Sequence, residues 1–395
     1  MNRSKEDPKT SRPWAEPGDS RLVLIVAGEA SADLHGANLV RAMSSADPSL
    51  CFWGIGGREM ARAGVRILFS SSEMAVVGIT EVFSRARLIY KASRVLKSIL
   101  KRRKPNLLIL IDYPDFNINL ARTAKRVGVP VLYYISPQIW AWRSGRVRKI
   151  ARRVDRMAVI LPFEEDFYRK RGVRVEYVGH PLLDAVPEKM EKESVRRELG
   201  LEGADPVLGL LPGSRSEEVM NLFPPMAGAA RILSGLYPRL KCLLPVASTV
   251  SFDRLRDMAQ TASLDIRLLR GQAYRVLAAS DLALVASGTA TLEAGLLGVP
   301  MIIVYRVSPL SFRLAKRVVR VSHVGLVNLV ADAPFVPELL QGEVTPHNLA
   351  RAALPLLEHG EARKNMIKEL QALRQKLGRG SPSRRTAEIA FEMMG

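Results

Sequence analysis

The sequence predicts an α/β protein made of two consecutive units, each a parallel sheet wound with helices on both faces, with a cleft between them. Short apolar runs typical of buried strands alternate with helical patterns from residue 21 onward. This alternation breaks at residues 181–192, a stretch with prolines and charges that we interpret as a linker, and then begins again. A length of 395 residues also favours two domains.

The elements follow in chain order. In the first unit the apolar runs predict strands at residues 22–27, 51–55, 107–111, 131–135, 157–161 and 175–178, with helices that include residues 36–44, 86–103, 117–127 and 164–171. In the second unit they predict strands at residues 207–211, 241–246, 266–269, 282–286 and 301–305. Residues 361–394 follow as helix, broken near residues 378–382. The expected divisions are a disordered tail at 1–20, domains at 21–185 and 186–360, and a helical segment at 361–395.

Composition limits the function classes. The formal charge of +20 favours a nucleic acid, an anionic membrane or a phosphorylated substrate as partner. Cys51 and Cys242 lie far apart in apolar runs, so we expect two small buried side chains in a reducing compartment, without a disulfide or a zinc site. The first twenty residues lack the apolar segment of a signal peptide, and no apolar run reaches the roughly 18–20 residues that span a bilayer. We therefore expect a cytoplasmic protein.

Residues 207–219 predict a phosphate site. An apolar strand leads into Gly213, Ser214 and Arg215, and a helix opens directly after this turn. Unpaired N–H groups and the positive end of the helix dipole attract an anion there, and the guanidinium of Arg215 matches a phosphate. Taken alone, the turn is as well explained by an ordinary strand-to-helix connection.

A second turn of the same kind follows the strand at residues 282–286. Ser287, Gly288 and Thr289 open a helix, and Glu293 lies one turn further on, where a carboxylate can accept hydrogen bonds from ribose hydroxyls. A favourable acidic residue near a helix start is the alternative for Glu293. No Asp-x-Asp motif occurs, so we predict neither a metal nor another cofactor. The pair of turns resembles the nucleotide-binding half of a two-Rossmann glycosyltransferase, in which the leaving diphosphate would be stabilised by Arg215 and by helix dipoles.

The first unit carries a candidate general base. Asp112 ends a buried strand, where partial burial would raise the pKa of its carboxyl group, whereas Asp115 follows a proline and suits a helix N-cap. A turn-stabilising role for Asp112 stays open. The polar loop at residues 28–36, with Glu29 and Ser31, follows the first strand and is expected to face the same cleft, although it lacks the G-x-G-x-x-G fingerprint.

Several segments together resemble the lipid-A-disaccharide synthase family. The most specific are the run from Ile111 to Asn117, which reads Ile-Asp-Tyr-Pro-Asp-Phe-Asn, and the Trp-Ala-Trp-Arg run that begins at Trp140. The remaining matches, in the family's order, are residues 28–31, 74–82, 136–139, 161–164, 178–181, 211–215, 286–290 and 328–329.

The resemblance implies a GT-B fold, two Rossmann-like domains facing a cleft, with C-terminal helices packing back on the N-terminal domain. It implies an inverting transferase that moves 2,3-diacylglucosamine from UDP to the 6-hydroxyl of 2,3-diacylglucosamine 1-phosphate (lipid X), giving a β-1,6 disaccharide and UDP. Asp112 is then the base, and Arg215 and Glu293 belong to the UDP site. Glu29, Ser31 and Asn328 fall in cleft motifs, although Ala32 replaces the family's second loop glycine.

Acylated substrates favour a peripheral protein on the cytoplasmic face of an anionic inner membrane. An apolar stretch at residues 74–83 precedes a cationic stretch at 85–104 that lacks acidic residues. The candidate docking residues are Met74, Val76, Val77, Ile79, Val82, Phe83, Arg85 and Arg87. A buried strand and turn followed by a solvated helix face is the alternative. The resemblance further suggests a homodimer.

Two other function classes stay open. One is another GT-B enzyme, such as a UDP-N-acetylglucosamine 2-epimerase. The other is a nucleic-acid-binding protein, against which stand the few aromatic residues and the lack of an RRM, KH or helix-turn-helix signature, so we expect no nucleic-acid partner. His180, near the end of the first domain, suits either a phosphate contact or a hinge, and His35 is a weaker candidate.

Overall fold

The computed structural model describes residues 21–74, 82–137, 139–142, 144–261, 264–308, 312–313, 322–378 and 380–395. The tail expected at residues 1–20 lies outside these ranges. Two parallel sheets, each covered by helices on both faces, confirm the α/β class with two doubly wound lobes.

The sheet of the first lobe contains seven parallel strands, which bury apolar residues on both faces. These are β1 (Leu22–Ala27), β2 (Cys51–Gly56), β3 (Arg66–Ser70), β4 (Leu107–Ile111), β5 (Val131–Tyr134), β6 (Arg156–Val159) and β7 (Val175–Tyr177). Their order across the sheet is β3-β2-β1-β4-β5-β6-β7. The six predicted strands are present. The unpredicted β3 is an edge strand that begins with an exposed arginine and buries none of its residues fully.

The helices of the first lobe are α1 (Ala30–Ala46), α2 (Arg58–Arg62), α3 (Ser71–Met74), α4 (Val82–Arg103), α5 (Pro114–Arg126), α6 (Ile139–Trp142), α7 (Val147–Ala151) and α8 (Pro162–Arg169). The short helix α9 (Leu182–Ala185) follows β7 and buries Leu182 in the core of the second lobe. A 3₁₀ turn at Ser144–Arg146 joins α6 to α7. Helices α4, α5, α7 and α8 contribute to the core on one face, and α1 and α2 to the core on the other.

The second lobe repeats this architecture with six parallel strands in the order β10-β9-β8-β11-β12-β13. The strands are β8 (Val207–Leu211), β9 (Lys241–Val246), β10 (Ile266–Arg270), β11 (Leu282–Ala286), β12 (Met301–Tyr305) and β13 (Glu338–Leu340). The described helices are α10 (Lys192–Glu198), α11 (Ser216–Ser234), α12 (Phe252–Thr261), α13 (Ala273–Ala279), α14 (Thr289–Leu296), α15 (Leu326–Ala331) and α16 (Pro346–Leu357). In the described part of this lobe, the short edge strand β13, followed by a 3₁₀ turn at Gln341–Glu343, is the one strand that the apolar pattern does not predict.

The C-terminal segment forms two helices that serve different lobes. Helix α17 (Glu361–Lys376) packs with Leu370 and Leu373 into the core of the second lobe. Helix α18 (Pro382–Met394) packs against α1 and buries Ala387, Ile389 and Ala390 in the core of the first lobe. The expected return of C-terminal helix to the N-terminal lobe is thus confirmed for α18, and the break near residues 378–382 separates the two helices.

Helix α1 begins six residues earlier than the pattern predicts. Most of the polar stretch expected as a loop is helical from Ala30, because its polar side chains serve tertiary contacts. The carboxylate of Asp33 accepts the N–H groups of Gly57, Glu59 and Met60 and so caps α2. Ala32 lies inside α1, buried in the core, so this position does not need the positive φ that favours glycine.

The strand orders create one crevice in each lobe. In a doubly wound sheet, ligands bind beyond the carboxyl ends of two neighbouring strands whose connections run to opposite sides. In the first lobe these strands are β1 and β4, and in the second they are β8 and β11. All four motifs singled out in the sequence follow these four strands directly.

Candidate active site

Asp112 occupies a constrained position at the end of β4. It has a φ of 46° and Tyr113 has a φ of 45°, so two consecutive residues other than glycine adopt the left-handed conformation. Such residues cost about 1–3 kcal/mol each and persist only where their surroundings hold them. The carbonyl oxygen of Asp112 accepts hydrogen bonds from Nδ2 of Asn117 at 2.7 Å and from the hydroxyl of Tyr133 at 2.5 Å. These bonds fix the backbone that carries the carboxylate.

The environment of Asp112 suits a general base. Burial, followed by the negative charge of Glu29, raises the pKa of its carboxyl group to about 6, against a smaller lowering by the N–H of Tyr113. A base works best when its pKa lies near the working pH, because it is then both deprotonated and able to accept a proton. The crevice between β1 and β4 therefore contains a carboxylate adapted to proton transfer.

The loop after β1 forms the other side of this crevice. Gly28 contacts the ring of Tyr113 so closely that an added Cβ would lie 2.4 Å from its Cγ atom. Glu29 is exposed, immediately precedes α1, and lies near enough to Asp112 to affect its pKa. Ser31 is exposed on the first turn of α1. The structure thus places Glu29 close enough to Asp112 for their charges to interact.

In the second lobe, Gly213, Ser214 and Arg215 form the turn from β8 to α11. Gly213 has a φ of 116°, which glycine adopts readily. The carbonyl of Ser214 accepts a hydrogen bond from the Thr249 hydroxyl at 2.5 Å, which fixes the turn. The Arg215 side chain is 78% exposed and pairs with Glu218 at 2.9 Å. With Glu218, it lines an open cavity of about 800 Å³.

The turn from β11 to α14 forms the opposite side of the same crevice. The Ser287 hydroxyl donates to the carbonyl of Val324 at 2.8 Å, and Gly288 has a φ of 150°. Thr289 is exposed at the first position of α14. Glu293 accepts a hydrogen bond from the Tyr274 hydroxyl at 3.2 Å, and burial raises the pKa of its carboxyl group.

Asn328 is fully buried in α15, and its carboxamide is used inside the protein. Its Nδ2 donates to the carbonyl of Val336 and to Glu338, each at 2.8 Å, and its Oδ1 accepts the N–H of Val336 at 3.0 Å. Glu338 also accepts the N–H groups of Val324 and Gly325. Since the Ser287 hydroxyl bonds to the carbonyl of Val324, this network helps to fix the turn from β11 to α14 at the second crevice.

Glu164 is a buried acid that sequence reasoning did not select. It accepts hydrogen bonds from Ser136 at 2.5 Å, from Trp140 Nε1 at 2.9 Å and from the N–H groups of Leu161 and Ile160. Burial raises the pKa of its carboxyl group to about 7, although these hydrogen bonds act to lower it. The signal available in the sequence is the run at residues 161–164, which ends in Glu164 and carries part of the family resemblance. Trp140 in turn packs against the core of the second lobe.

The candidate docking residues fall into four groups. Met74 is completely buried in the core of the first lobe, so the structure removes it from a docking surface. Val76, Val77 and Ile79 lie outside the described residues. Val82, Phe83 and Arg85 belong to the first turn of α4. Arg87 is exposed on the same helix.

His35 and His180 lie in the interior where the first lobe meets α18. Burial lowers the pKa of His180 to about 3 and that of His35 to about 4. The Nδ1 atom of His180 accepts the N–H of Leu182 at 3.2 Å, and the backbone N–H of His180 donates to the carbonyl of Leu377 at 2.9 Å. This geometry favours the hinge-positioning alternative for His180.

Over the described ranges, no set of three or more His, Cys, Asp or Glu side chains is grouped in a way that could hold a metal ion. Across the same ranges, no helix combines the length and the apolar character that a membrane span needs.

Comparison with known proteins agrees with this geometry. A family model described as lipid-A-disaccharide synthetase matches residues 23–392. The lipid-A-disaccharide synthase of Syntrophus aciditrophicus is 48% identical over 377 residues, which cover 95% of this chain and 98% of that protein.

Among solved structures, the UDP-GlcNAc 2-epimerase of Neisseria meningitidis, bound to UDP-GlcNAc, aligns with a TM-score of 0.64 at 13% identity over 94% of this chain and 100% of that one. The calicheamicin glycosyltransferase aligns with a TM-score of 0.60 at 15% identity over 96% and 99%. At such identities the likeness shows the fold alone, whereas the family model and the curated relative cover nearly the entire chain. The chain therefore belongs to the lipid-A-disaccharide synthase family of glycosyltransferases.

Proposed function

We propose that this protein transfers a 2,3-diacylglucosaminyl group from UDP to the 6-hydroxyl of 2,3-diacylglucosamine 1-phosphate, forming the β-1,6 disaccharide of lipid A and UDP. The observation that carries the proposal is the half-buried Asp112 carboxylate, with a pKa of about 6, at the β1–β4 crevice of a chain from this family. The β8–β11 crevice, with its two glycine-containing turns, supports a nucleotide site in the other lobe.

The proposed reaction is one displacement with inversion. Asp112 removes the proton of the acceptor 6-hydroxyl while that oxygen forms a bond to C1 of the donor sugar. The bond from C1 to the UDP oxygen breaks, and its electron pair leaves with UDP. Arg215 and the start of α11, a helix of 19 residues, stabilise the developing negative charge on the diphosphate. The proton thus ends on Asp112 and the charge on UDP.

The remaining site residues have supporting roles in this proposal. Gly213 and Ser214 present backbone N–H groups to the diphosphate, as do Ser287, Gly288 and Thr289 at the second turn. Glu293 accepts hydrogen bonds from the ribose, held in place by Tyr274. Asn328 orders the loop behind Ser287, and Glu29 and Ser31 border the acceptor. No metal or other cofactor takes part.

The substrates also imply a position in the cell, on the cytoplasmic face of the inner membrane. The protein would dock on the anionic surface through the first turn of α4, residues 75–81 before it and the exposed Arg87. If charge contributes, raising the salt concentration releases the protein from phosphatidylglycerol vesicles. Retention on these vesicles at high salt would contradict the electrostatic part of the proposal.

The direct test is incubation of the purified protein with UDP-2,3-diacylglucosamine and 2,3-diacylglucosamine 1-phosphate, followed by mass spectrometry. We expect a product with the mass of the disaccharide 1-phosphate, together with UDP. A parallel incubation with UDP-N-acetylglucosamine alone tests the epimerase alternative. Appearance of the C2 epimer there, with no disaccharide in the first reaction, would refute the proposal.

A further inference from the structure

Two cavities of opposite chemical character share a wall beside the end of β4. The first is a groove of about 630 Å³ between α4 and α5, and the second is a cavity of about 310 Å³ between α5 and the segment that contains α7. Asp115 and Asn119 of α5 line both of them. Tyr113, the residue directly after Asp112, lines the groove.

The groove between α4 and α5 is largely apolar. Ile89, Tyr90, Tyr113 and Phe116 form its apolar walls, and the rings of Tyr113 and Phe116 lie 5.5 Å apart. Its other lining residues are polar and include the cations Arg94 and Lys97. Tyr90 is 67% exposed, an unusual position for a large apolar side chain on a soluble surface. A groove with such walls favours a hydrocarbon chain as its occupant.

The second cavity is strongly cationic. Arg122, Arg146, Lys149 and Arg153 line it, and Asp115 is the sole carboxylate among the described residues that line either cavity. Asp115 pairs with Arg146 at 2.7 Å but is 79% exposed. Because solvent screens an exposed carboxylate, Asp115 offsets little of the positive charge of the cavity. Burial and the positive charges of Arg122 and Arg126 lower the pKa of Arg153. Such a surplus of positive charge attracts an anion, and arginine matches phosphate in particular.

We propose that the two cavities together bind the acceptor substrate, with an acyl chain in the apolar groove and the 1-phosphate in the cationic cavity. This inference rests on the proposed function, and it adds which part of the first lobe recognises each end of the acceptor. Because the two cavities share Asp115, three residues after Asp112, a sugar ring between phosphate and acyl chain lies close to the base. The cationic cavity thus selects an acceptor that carries a phosphate.

The first test compares a variant that loses two positive charges from the cationic cavity with a control variant that loses two positive charges outside it. R122A/K149A removes cations that line the cavity, whereas R148A/R152A removes two exposed cations from α7 and its end that do not line it. Calorimetry in neutral detergent micelles measures the Kd for 2,3-diacylglucosamine 1-phosphate and for its dephosphorylated form. The wild type should bind the phosphate form at least about tenfold more tightly. R122A/K149A should lose that preference, and R148A/R152A should keep it within about twofold.

The second test fills the groove. S93W places a large ring on the groove wall and should weaken binding of the long-chain acceptor at least about tenfold, with little effect on an analogue whose acyl chains are short. Equal weakening of both acceptors, or of neither, would overturn the assignment of the groove. The UDP-induced rise in melting temperature serves as the folding control for all three variants, because UDP is expected in the other lobe.

Three further outcomes separate this inference from its alternatives. If phosphatidylglycerol vesicles lose affinity for R122A/K149A but not for R148A/R152A, the cavity binds bulk lipid and the inference fails. If the wild type binds the acceptor with the stated preference but forms no disaccharide, the proposed function fails and the inference stands. If disaccharide forms and R122A/K149A leaves the acceptor KM unchanged, the inference alone fails.

Discussion

At the residue scale, Asp112 combines backbone strain with a raised pKa. Asp112→Asn keeps the size of the side chain and its left-handed backbone but removes the base. We expect kcat to fall about 10²- to 10⁴-fold, the usual contribution of a general base, while the Kd for UDP stays within about twofold. Turnover assays and calorimetry with UDP measure the two quantities. Asp166→Asn, an exposed acid on α8, is the matched control. Loss of UDP binding together with turnover would indicate a structural aspartate.

The pKa of Asp112 also predicts a pH profile. The carboxyl group must be deprotonated to act, so kcat/KM should fall as the pH drops through about 6 and level off above about 7. Glu29 contributes to the raised pKa through its negative charge, so Glu29→Gln should move this inflection to lower pH. A pH series of initial rates for both proteins measures the shift. An inflection that stays in place, or moves to higher pH, would contradict the coupling of these two residues.

At the scale of elements, the connections from β1 to α1 and from β4 to α5 depend on each other. Gly28→Ala would place a methyl group 2.4 Å from Cγ of Tyr113, so the ring and the neighbouring Asp112 must shift. We expect a loss of stability of about 1–3 kcal/mol and at least a tenfold lower kcat. Denaturant unfolding and turnover assays measure them.

Gly235→Ala is the control for Gly28→Ala. An added Cβ at Gly235, which ends α11, meets only the carbonyl of Ile232 at 3.4 Å, an ordinary contact. We expect the stability of this variant to change by less than about 0.5 kcal/mol. If Gly28→Ala behaved like this control, the close packing of the two connections would not matter for catalysis.

Sequence patterns predict elements well where local and tertiary demands agree. The buried strands β4, β8 and β11 read as short apolar runs, and the polar residues after them could be assigned to a site before the structure was known. The apolar pattern does not predict the edge strands β3 and β13, because they are short, half-buried and contain charged residues. The pattern does not predict the start of α1. Asp33 is a residue type that commonly caps its own helix, but here it caps α2.

The roles of buried polar side chains could not be predicted in the same way. Glu164 and Asn328 take their partners from outside their own helices, up to 28 residues away in the sequence, such as Ser136 and Trp140 for Glu164. Local spacing carries no information on such contacts. The cationic cavity is a similar case, because Arg122 comes from α5 and the other three cations from residues 146–153.

At the scale of the whole molecule, two lobes with one crevice each predict a protein stabilised by its nucleotide. UDP at about 100 times its Kd should stabilise the folded state by about 2.7 kcal/mol and raise the melting temperature measurably. An oligonucleotide at matched ionic strength should not, despite the charge of +20. Differential scanning fluorimetry measures both shifts. An equal rise with the oligonucleotide would revive the nucleic-acid alternative.

Arg215→Ala provides the comparison within this experiment. Its side chain is mostly exposed, so its removal should change the melting temperature of the free protein little. The rise caused by UDP should become much smaller, because a charged partner of the diphosphate is lost. An unchanged rise would place the diphosphate away from the turn between β8 and α11.

The return of α18 to the first lobe makes this lobe depend on a distant part of the chain. Ala387, Ile389 and Ala390 of α18 close one face of the first core, and the whole second lobe lies between them and β7 in the sequence. The first lobe therefore cannot bury this face until α18 has docked on it. A variant truncated before Pro382 would leave that apolar surface uncovered, and chaperones and proteases recognise such surfaces.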